Sequence, residues 1–351
     1  MTTYSVQVSV AGRTDVGQTR EHNEDTYLIA DLSSGELTGD AGIERQAIGP
    51  RGSLFMVADG MGGAAAGELA SALAAQTIHA HLMSTWSVGD DTSREGFATH
   101  MRAAVEEANR EIHAYAQEHP DVRGMGTTVT AAGVFGADLY LAQIGDSRAY
   151  MVRRGRATQL TKDQSLTQRL VDAGELTEEQ AEKSERKNII LQALGPDPQV
   201  RVDLTFEELR RGDVLILCSD GLSGSVRREE FAEYAGKIPD LGQLCSTLID
   251  LANSRGGPDN ITVVAARFEG EGLPLSAGEQ EPGYHVLTLP GDEPPEEDFR
   301  VGYPTGGIRA YKKPIEPEPP PAPPARPRPP VGLIGTALLL AAALLYFLIS
   351  R

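Results

Sequence analysis

Four aspartates in this chain stand where an apolar run meets a turn, and carboxylates delivered to such places are natural ligands for a hard cation. The run Leu54-Phe55-Met56-Val57-Ala58 leads into Asp59-Gly60-Met61-Gly62-Gly63, and Val214-Leu215-Ile216-Leu217-Cys218-Ser219 leads into Asp220-Gly221. Leu139 to Ile144 is followed by Gly145-Asp146, and Asp259-Asn260 precedes Ile261-Thr262-Val263-Val264. Taken singly, an Asp-Gly pair after a strand reads as an ordinary turn in which glycine lets the backbone bend sharply. Taken together, acidic groups meeting at the ends of buried strands repel one another in a low dielectric and call for cations to neutralise them. Oxygen donors without His or Cys favour magnesium or manganese over zinc.

The elements that must position these groups follow from periodicity. Val6 to Val10 alternates as a strand, Thr26 to Ala30 reads as another, and the polar stretch Thr14 to Asp25 between them can set Arg20 and the Glu24-Asp25 pair beside the second. Ala64 to Trp86 and Arg94 to Glu118 carry apolar residues at helical spacing and are expected to form an antiparallel helix pair. Their histidines include no pair at i, i+4 and are not expected to bind metal. Thr127 to Phe135, Leu139 to Ile144 and Arg148 to Arg153 read as an antiparallel meander, and Asp163 to Gly174 and Thr177 to Lys183 as two small helices. Strands are expected again at Val200 to Phe206, Val214 to Ser219 and Ile261 to Phe268, with helices at Arg228 to Ala235 and Leu241 to Ala252.

Six strings, in order, resemble the metal-dependent protein phosphatases of the PP2C (PPM) type: Arg20-Glu21-His22-Asn23-Glu24-Asp25, Val57-Ala58-Asp59-Gly60-Met61-Gly62-Gly63, Gly124-Met125-Gly126-Thr127-Thr128, Ile144-Gly145-Asp146-Ser147-Arg148, Ser219-Asp220-Gly221-Leu222 and Asp259-Asn260-Ile261-Thr262. The resemblance implies an α+β fold, a four-layer αββα sandwich of two antiparallel sheets flanked by helix pairs. It implies hydrolysis of phosphoserine and phosphothreonine in proteins by a water held between two cations, without a phosphoenzyme. It assigns Asp59 as the bridging ligand, Asp220 and Asp259 to the same Mn2+ or Mg2+ pair, the Gly60 carbonyl to one cation, and Glu24 or Asp25 to surrounding waters. Asp146, with Asp220, matches a third, weaker cation of bacterial members, and Arg20 becomes a clamp for phosphate oxygens. Many eukaryotic relatives have histidine after the Asp-Gly pair where this chain has Met61, so a metal-bound water is the first expectation for the leaving-group acid and His22 a distant second. Gln164 also stands where histidine is common and receives no catalytic role. The segment Glu185 to Asn188 belongs to the expected flap beside the site. Two rival readings stay open: a non-catalytic phosphopeptide-binding module, and a hydrolase of small phosphate monoesters.

The net charge of −18 falls mainly in residues 1–270 and argues against a nucleic-acid partner, which a basic face would serve. Of the two cysteines, Cys218 and Cys245, neither has arginine six residues on, where Gly224 and Leu251 stand, so cysteine-phosphatase chemistry is excluded. Buried free thiols are expected, with pairing as the alternative. The start of the chain has no signal-peptide pattern. Residues 1–270 are expected to form the phosphatase domain and 271–330, rich in Pro and Glu, an extended linker without a core. Residues 331–350 carry no charge over twenty positions, enough for a transmembrane helix. Arg326 and Arg328 before that span, against Arg351 after it, put the domain on the cytoplasmic side of a membrane, a bacterial inner membrane by the resemblance. A Ser/Thr protein kinase is the expected counterpart.

Overall fold

The computed structural model describes residues 5–39, 42–276, 281–290 and 292, together with the backbone of Tyr311–Lys312. The first third contains β1 (Gln7–Asp15), β2 (Asp25–Asp31), β3 (Ile43–Ala47), β4 (Ser53–Met61), α1 (Ala64–Thr85) and α2 (Arg94–Glu118). The middle contains β5 (Gly126–Thr127), β6 (Val129–Phe135), β7 (Asp138–Ile144), β8 (Arg148–Arg153), β9 (Arg156–Gln159), α3 (Leu166–Asp172), α4 (Glu178–Glu182) and β10 (Ile189–Ile190). The rest contains β11 (Asp203–Glu208), β12 (Val214–Cys218), α5 (Asp220–Ser223), α6 (Arg228–Lys237), α7 (Leu241–Ser254), β13 (Ile261–Glu269) and β14 (Tyr311–Lys312).

Two antiparallel six-stranded and five-stranded paths follow from these pairings: β3-β1-β13-β12-β8-β9 in one sheet and β11-β7-β6-β4-β2 in the other, where β5 joins the end of β4. The side-chain period of two sorts each strand between two cores. Along β4, Phe55 and Val57 face a central core shared with Leu215, Leu217, Val264 and Phe268 of the opposite sheet. Leu54, Met56 and Ala58 point the other way, into a core built with α1 and α2. Likewise Val214, Ile216 and Cys218 of β12 meet α6 and α7 on the far face of the first sheet. The order of layers is therefore helices, sheet, sheet, helices, which is the expected αββα sandwich. Because β4 is buried on both faces, it reads as a continuous apolar run rather than an alternating one.

At one end of the sandwich a buried charge network ties the sheets together. Arg153, ending β8, donates to Asp213 at 2.7 and 2.9 Å and to Glu207 of β11 at 3.0 Å. Such a network rigidifies only when every group in it is satisfied, and the fork of an arginine can meet two carboxylates at once.

Three expectations are corrected. The meander does not continue past Ile144: β6 and β7 pair, but β8 crosses to the other sheet and pairs with β12 and β9. The crossing is made at Gly145, whose φ of 97° is a conformation that side-chain-bearing residues rarely adopt. Strands β3 and β9 lie where no strand was expected, both short and largely polar. The chain expected to leave the domain as a linker at Glu271 stays on it instead. Leu273 and Leu289 are buried, Leu289 in the core under α1 and α2. Val286 pairs with Thr205 on the edge strand β11, where the Phe206 amide donates to His285 O at 3.0 Å and the Leu287 amide to Leu204 O at 2.8 Å. Arg102 of α2 closes this strap on Asp292 at 2.6 Å. An edge strand covered in this way is no longer a template for another chain. Among the described residues no helix is long and apolar enough to cross a membrane; the expected span 331–350 lies outside the described residues.

Leu289 provides a direct check on the strap. Leu289→Ala is expected to destabilise the folded domain by about 2–3 kcal/mol, measured by urea unfolding; a change below about 0.5 kcal/mol would show that the strap is not part of the cooperative unit.

Candidate active site

All four Asp-bearing strand ends lie at the end of the sandwich opposite Arg153. Asp25 opens β2 and Asp59 lies near the end of β4, and the antiparallel register sets these two residues directly opposite each other. Both are buried, at 8% and 3% exposure. Like charges facing each other across a ladder destabilise it, and burial aggravates the conflict. Nothing in core packing requires two acids there.

Neutral polar side chains carry the arrangement from one sheet to the other. Ser219, next to Asp220, donates its hydroxyl proton to Asp25 Oδ2 at 2.7 Å and accepts from the Thr262 amide at 3.0 Å. Asn260, next to Asp259, accepts from the Glu24 amide at 2.9 Å and donates to the carbonyls of Val16 at 2.9 Å and His22 at 2.8 Å. The Asp59 amide donates to Thr128 Oγ1 at 3.1 Å, and that hydroxyl lies 2.8 Å from Ser147 Oγ, beside Asp146. Glu24, Asp25, Asp59, Asp146, Asp220 and Asp259 are thus joined through at most a few residues.

Close backbone approach makes this possible. A Cβ on Gly60 would fall 2.2 Å from Gly67 O and 2.6 Å from Glu24 O, and one on Gly221 would fall 2.0 Å from Asn260 O. The expected sharp turn at Asp59-Gly60 is not what these glycines provide. Gly60 stays in β4, its amide donating to Glu24 O at 3.1 Å, and the chain turns at Gly62 and Gly63, with φ of 122° and 93°.

Arg20 reaches the same place. Its Nη2 and Nε each lie 3.1 Å from the two carboxylate oxygens of Asp259. The expected phosphate clamp therefore sits at the site with its fork on an acid. Among the described residues no three His, Cys, Asp or Glu side chains form a closed set that could hold an ion as it stands. The donor set nonetheless fits a hard divalent ion in kind: carboxylates and main-chain carbonyls only, with two buried acids opposed. Met61 is buried in a small cluster with Ile190 and Ala193, while His22 is exposed.

Around this centre lie groups that take no direct part. Arg148 is held strongly protonated: burial works against its charge, but Asp163, accepting at 2.6 to 3.1 Å, and Tyr150 prevail. Both cysteines are free and buried, and burial pushes each thiol up to about 12. The alternative of a disulfide is thereby corrected. The residues that sequence reasoning left without a role are the neutral braces Thr128, Ser147, Ser219 and Asn260. Each adjoins, in sequence or across a strand, one of the acidic positions, which was the available clue.

The fold and site define an αββα sandwich with acids gathered at one end, and comparison with known proteins places it in a family. The model of the Protein phosphatase 2C family matches residues 31–250. The chain is 39% identical over 284 residues to the serine/threonine protein phosphatase PstP of Mycobacterium tuberculosis, covering 80% of this chain and 49% of that protein. It is 36% identical over 252 residues to the serine/threonine phosphatase stp of Listeria monocytogenes, covering 72% of this chain and 92% of that one. Among solved structures, the catalytic domain of PstP in complex with two manganese ions superposes with a TM-score of 0.61 at 38% identity, covering 76% of this chain and all of that domain. The chain belongs to the protein phosphatase 2C family. It spans about half the length of the mycobacterial relative.

Two outcomes follow from this geometry. Asp59→Asn removes one of two opposed buried acids, so in EDTA the variant is expected to be more stable than the parent by about 1 kcal/mol, and to lose any gain in melting temperature on adding Mn2+. A stability loss in EDTA would contradict the repulsion argument. With thiol pKa values near 12, Cys218 and Cys245 are expected to resist iodoacetamide at pH 8 in the native protein and to react on unfolding, since only the thiolate attacks; labelling read by mass spectrometry decides it.

Proposed function

We propose that this protein hydrolyses phosphoserine and phosphothreonine in proteins, using divalent cations, Mn2+ or Mg2+, held at the Asp59 end of the sandwich. The observation that carries the reading is the buried, register-opposed Asp25 and Asp59 in a member of a phosphatase family whose other acids, Asp220, Asp259 and Asp146, converge on the same end. Asp59, Asp220 and Asp259 with the Gly60 carbonyl would hold a pair of cations, Glu24 and Asp25 would orient the surrounding waters, and Asp146 with Asp220 would hold a third. Bound there, such ions supply charge stabilisation and a water acidic enough to be a nucleophile at neutral pH.

The chain's own residues do the rest. Asp59 and Asp25 would hold and orient what binds between them, because the register of β2 and β4 sets the two opposite each other. Arg20 binds the equatorial phosphate oxygens with its planar fork and offsets charge as it builds in the transition state. Its bond to Asp259 keeps the guanidinium preoriented at the site until an anion competes for it. Met61 supplies no proton, so the leaving alkoxide takes its proton from water, with His22 the exposed second candidate.

The reading extends to the whole chain. Phosphorylated proteins are the substrates, and a bacterial Ser/Thr kinase is the enzyme opposed. Residues 313–330, after the strand Tyr311–Lys312 that pairs with β10, form a Pro-rich linker and 331–350 a membrane-spanning anchor, with the catalytic domain on the cytoplasmic side. Support for this part is compositional: twenty uncharged residues, preceded by Arg326 and Arg328. A tether of this kind raises the effective concentration of the enzyme near membrane-bound partners.

Phosphate release from a phosphothreonine peptide by residues 1–314, the compact unit that keeps β14 on β10, tests the activity. Release is expected with MnCl2, none with EDTA, and a fall of about a thousandfold or more in Asp59→Asn. Metal-independent release, or an Asp59→Asn rate equal to the parent's, would overturn the proposal; faster turnover of a free phosphomonoester than of a phosphoprotein would point to small esters instead.

A further inference from the structure

Strand β10 is two residues long, yet both of its edges are used. Ser165 bridges Ile190 on one side, where the Leu191 amide donates to Gln164 O at 2.7 Å. On the other side β14 runs antiparallel to it, with Ile190 opposite Tyr311 and Ile189 opposite Lys312. Main-chain groups along a strand alternate in direction, so with Leu191 turned to Gln164 the amide and carbonyl of Ile190 turn to Tyr311. Ile190 is 1% exposed, and polar backbone groups at such a position need a partner. The edge therefore requires a strand, and the chain supplies one from far downstream.

That edge lies beside the acids. Ile190 and Ala193 pack with Met61, which follows Asp59 and Gly60 in β4, and Leu194 bridges Thr127 of β5, which itself pairs with Gly60. The strand laid on it carries a charge unlike the rest of the chain. In a protein of net charge −18, the stretch Ile308-Arg309-Ala310-Tyr311-Lys312-Lys313 holds three basic residues and no acid. Attraction between a basic segment and an acidic domain brings the two together before any specific bond forms. Main-chain pairing then asks little of the sequence it holds, which suits an enzyme whose substrates share a phosphorylated residue and differ around it.

We propose that this edge of β10 is a β-addition site for the extended main chain of a phosphoprotein beside its phosphorylated residue, and that Tyr311–Lys312 occupies it in cis until such a substrate displaces it. The competition with substrate rests on the phosphatase reading above; the docking of the tail does not. A pairing of two residues is weak enough to exchange, and it forms because the tail is covalently attached and so present at high local concentration. The apparent affinity for a protein substrate falls in proportion to the fraction of chains whose edge is free. Because the tail pairs with β10 rather than with the acids, a small phosphate ester, which has no main chain to add, escapes this competition.

Hydrogen exchange at β10 and kinetics on two substrates test this in the full chain. Tyr311→Pro removes a main-chain donor from the tail strand, and exchange of the Ile190 amide is expected to quicken by about fivefold or more. With MnCl2, KM for a phosphothreonine peptide should fall by about threefold or more in the variant with kcat unchanged, while turnover of p-nitrophenyl phosphate keeps the parent's value. A free peptide of residues 306–317 added to the variant should restore slow exchange and raise KM again. Lys312→Glu with Lys313→Glu, which leaves every amide in place, is the second variant and should act in the same direction, more strongly at low salt. Unchanged exchange in both variants would overturn the docking. Faster exchange with unchanged KM, or an equal fall in KM for p-nitrophenyl phosphate, would overturn the competition. A parent chain that releases no phosphate from either substrate would overturn the phosphatase reading and the competition with it, and exchange alone would then decide the docking.

Discussion

The confrontation of Asp25 with Asp59 across a strand pair is the constraint on which the rest of this structure turns. It is fixed by packing remote from it. Phe55 and Val57 must face the central core and Leu54 and Met56 the helices, so a slip of one residue in β4 would reverse both faces and expose the core. With the register held by that burial, the two acids cannot move apart along the ladder. Stability contributed by the apolar faces is thus what keeps an electrostatically unfavourable pair in place, as is common where a fold carries a functional site.

The link between the two sheets at this end is made by neutral groups. Ser219, Asn260 and Thr128 donate or accept across the gap, and none adds charge to a region already rich in it. At the other end the sheets are joined by Arg153 with Glu207 and Asp213, a buried network in which opposite charges meet at 3.0 and 2.7 Å. The contrast is physical. An ionic network of this kind serves as a fastener, whereas at the acidic end the cross-links are neutral and Arg20, on Asp259, is the group suited to an anion.

Most of the strands and both long helices were legible because their residues obey one period over many positions: Phe97, Met101, Val105 and Ile112 on α2, and the doubly buried run of β4. What escaped was decided by tertiary context. The hairpin β6–β7 and the strand β8 share turn chemistry that suggests a meander, and only the Thr128–Ser147 contact and the backbone of Gly145 reveal a change of sheet. Strands β3 and β9 are edge strands with polar faces, so alternation had nothing to mark. The strap at 281–292 was masked by its Pro, Gly and Glu content, although Leu287 and Leu289 alternate as a strand seated on a core would. For the site, the acidic positions were visible as residue types at strand ends. The braces Thr128, Ser219 and Asn260 were not, since each bonds a partner distant along the chain, at Asp59, Asp25 and Glu24.

The glycines beside the acids show why spacing alone could not settle the geometry. An Asp-Gly pair suggests a turn, yet Gly60 remains in a strand and Gly221 in a helical turn, neither with positive φ. What both positions require is the absence of a side chain, because backbone oxygens of Gly67, Glu24 and Asn260 occupy the space a Cβ would need. At Gly67 the conflict would be with the Glu24 carboxylate, 2.0 Å from such an atom. Glycine therefore acts here by admitting neighbouring chain to the acids rather than by bending its own. The distance between strands, more than the shape of any one loop, sets how closely the carboxylates can gather.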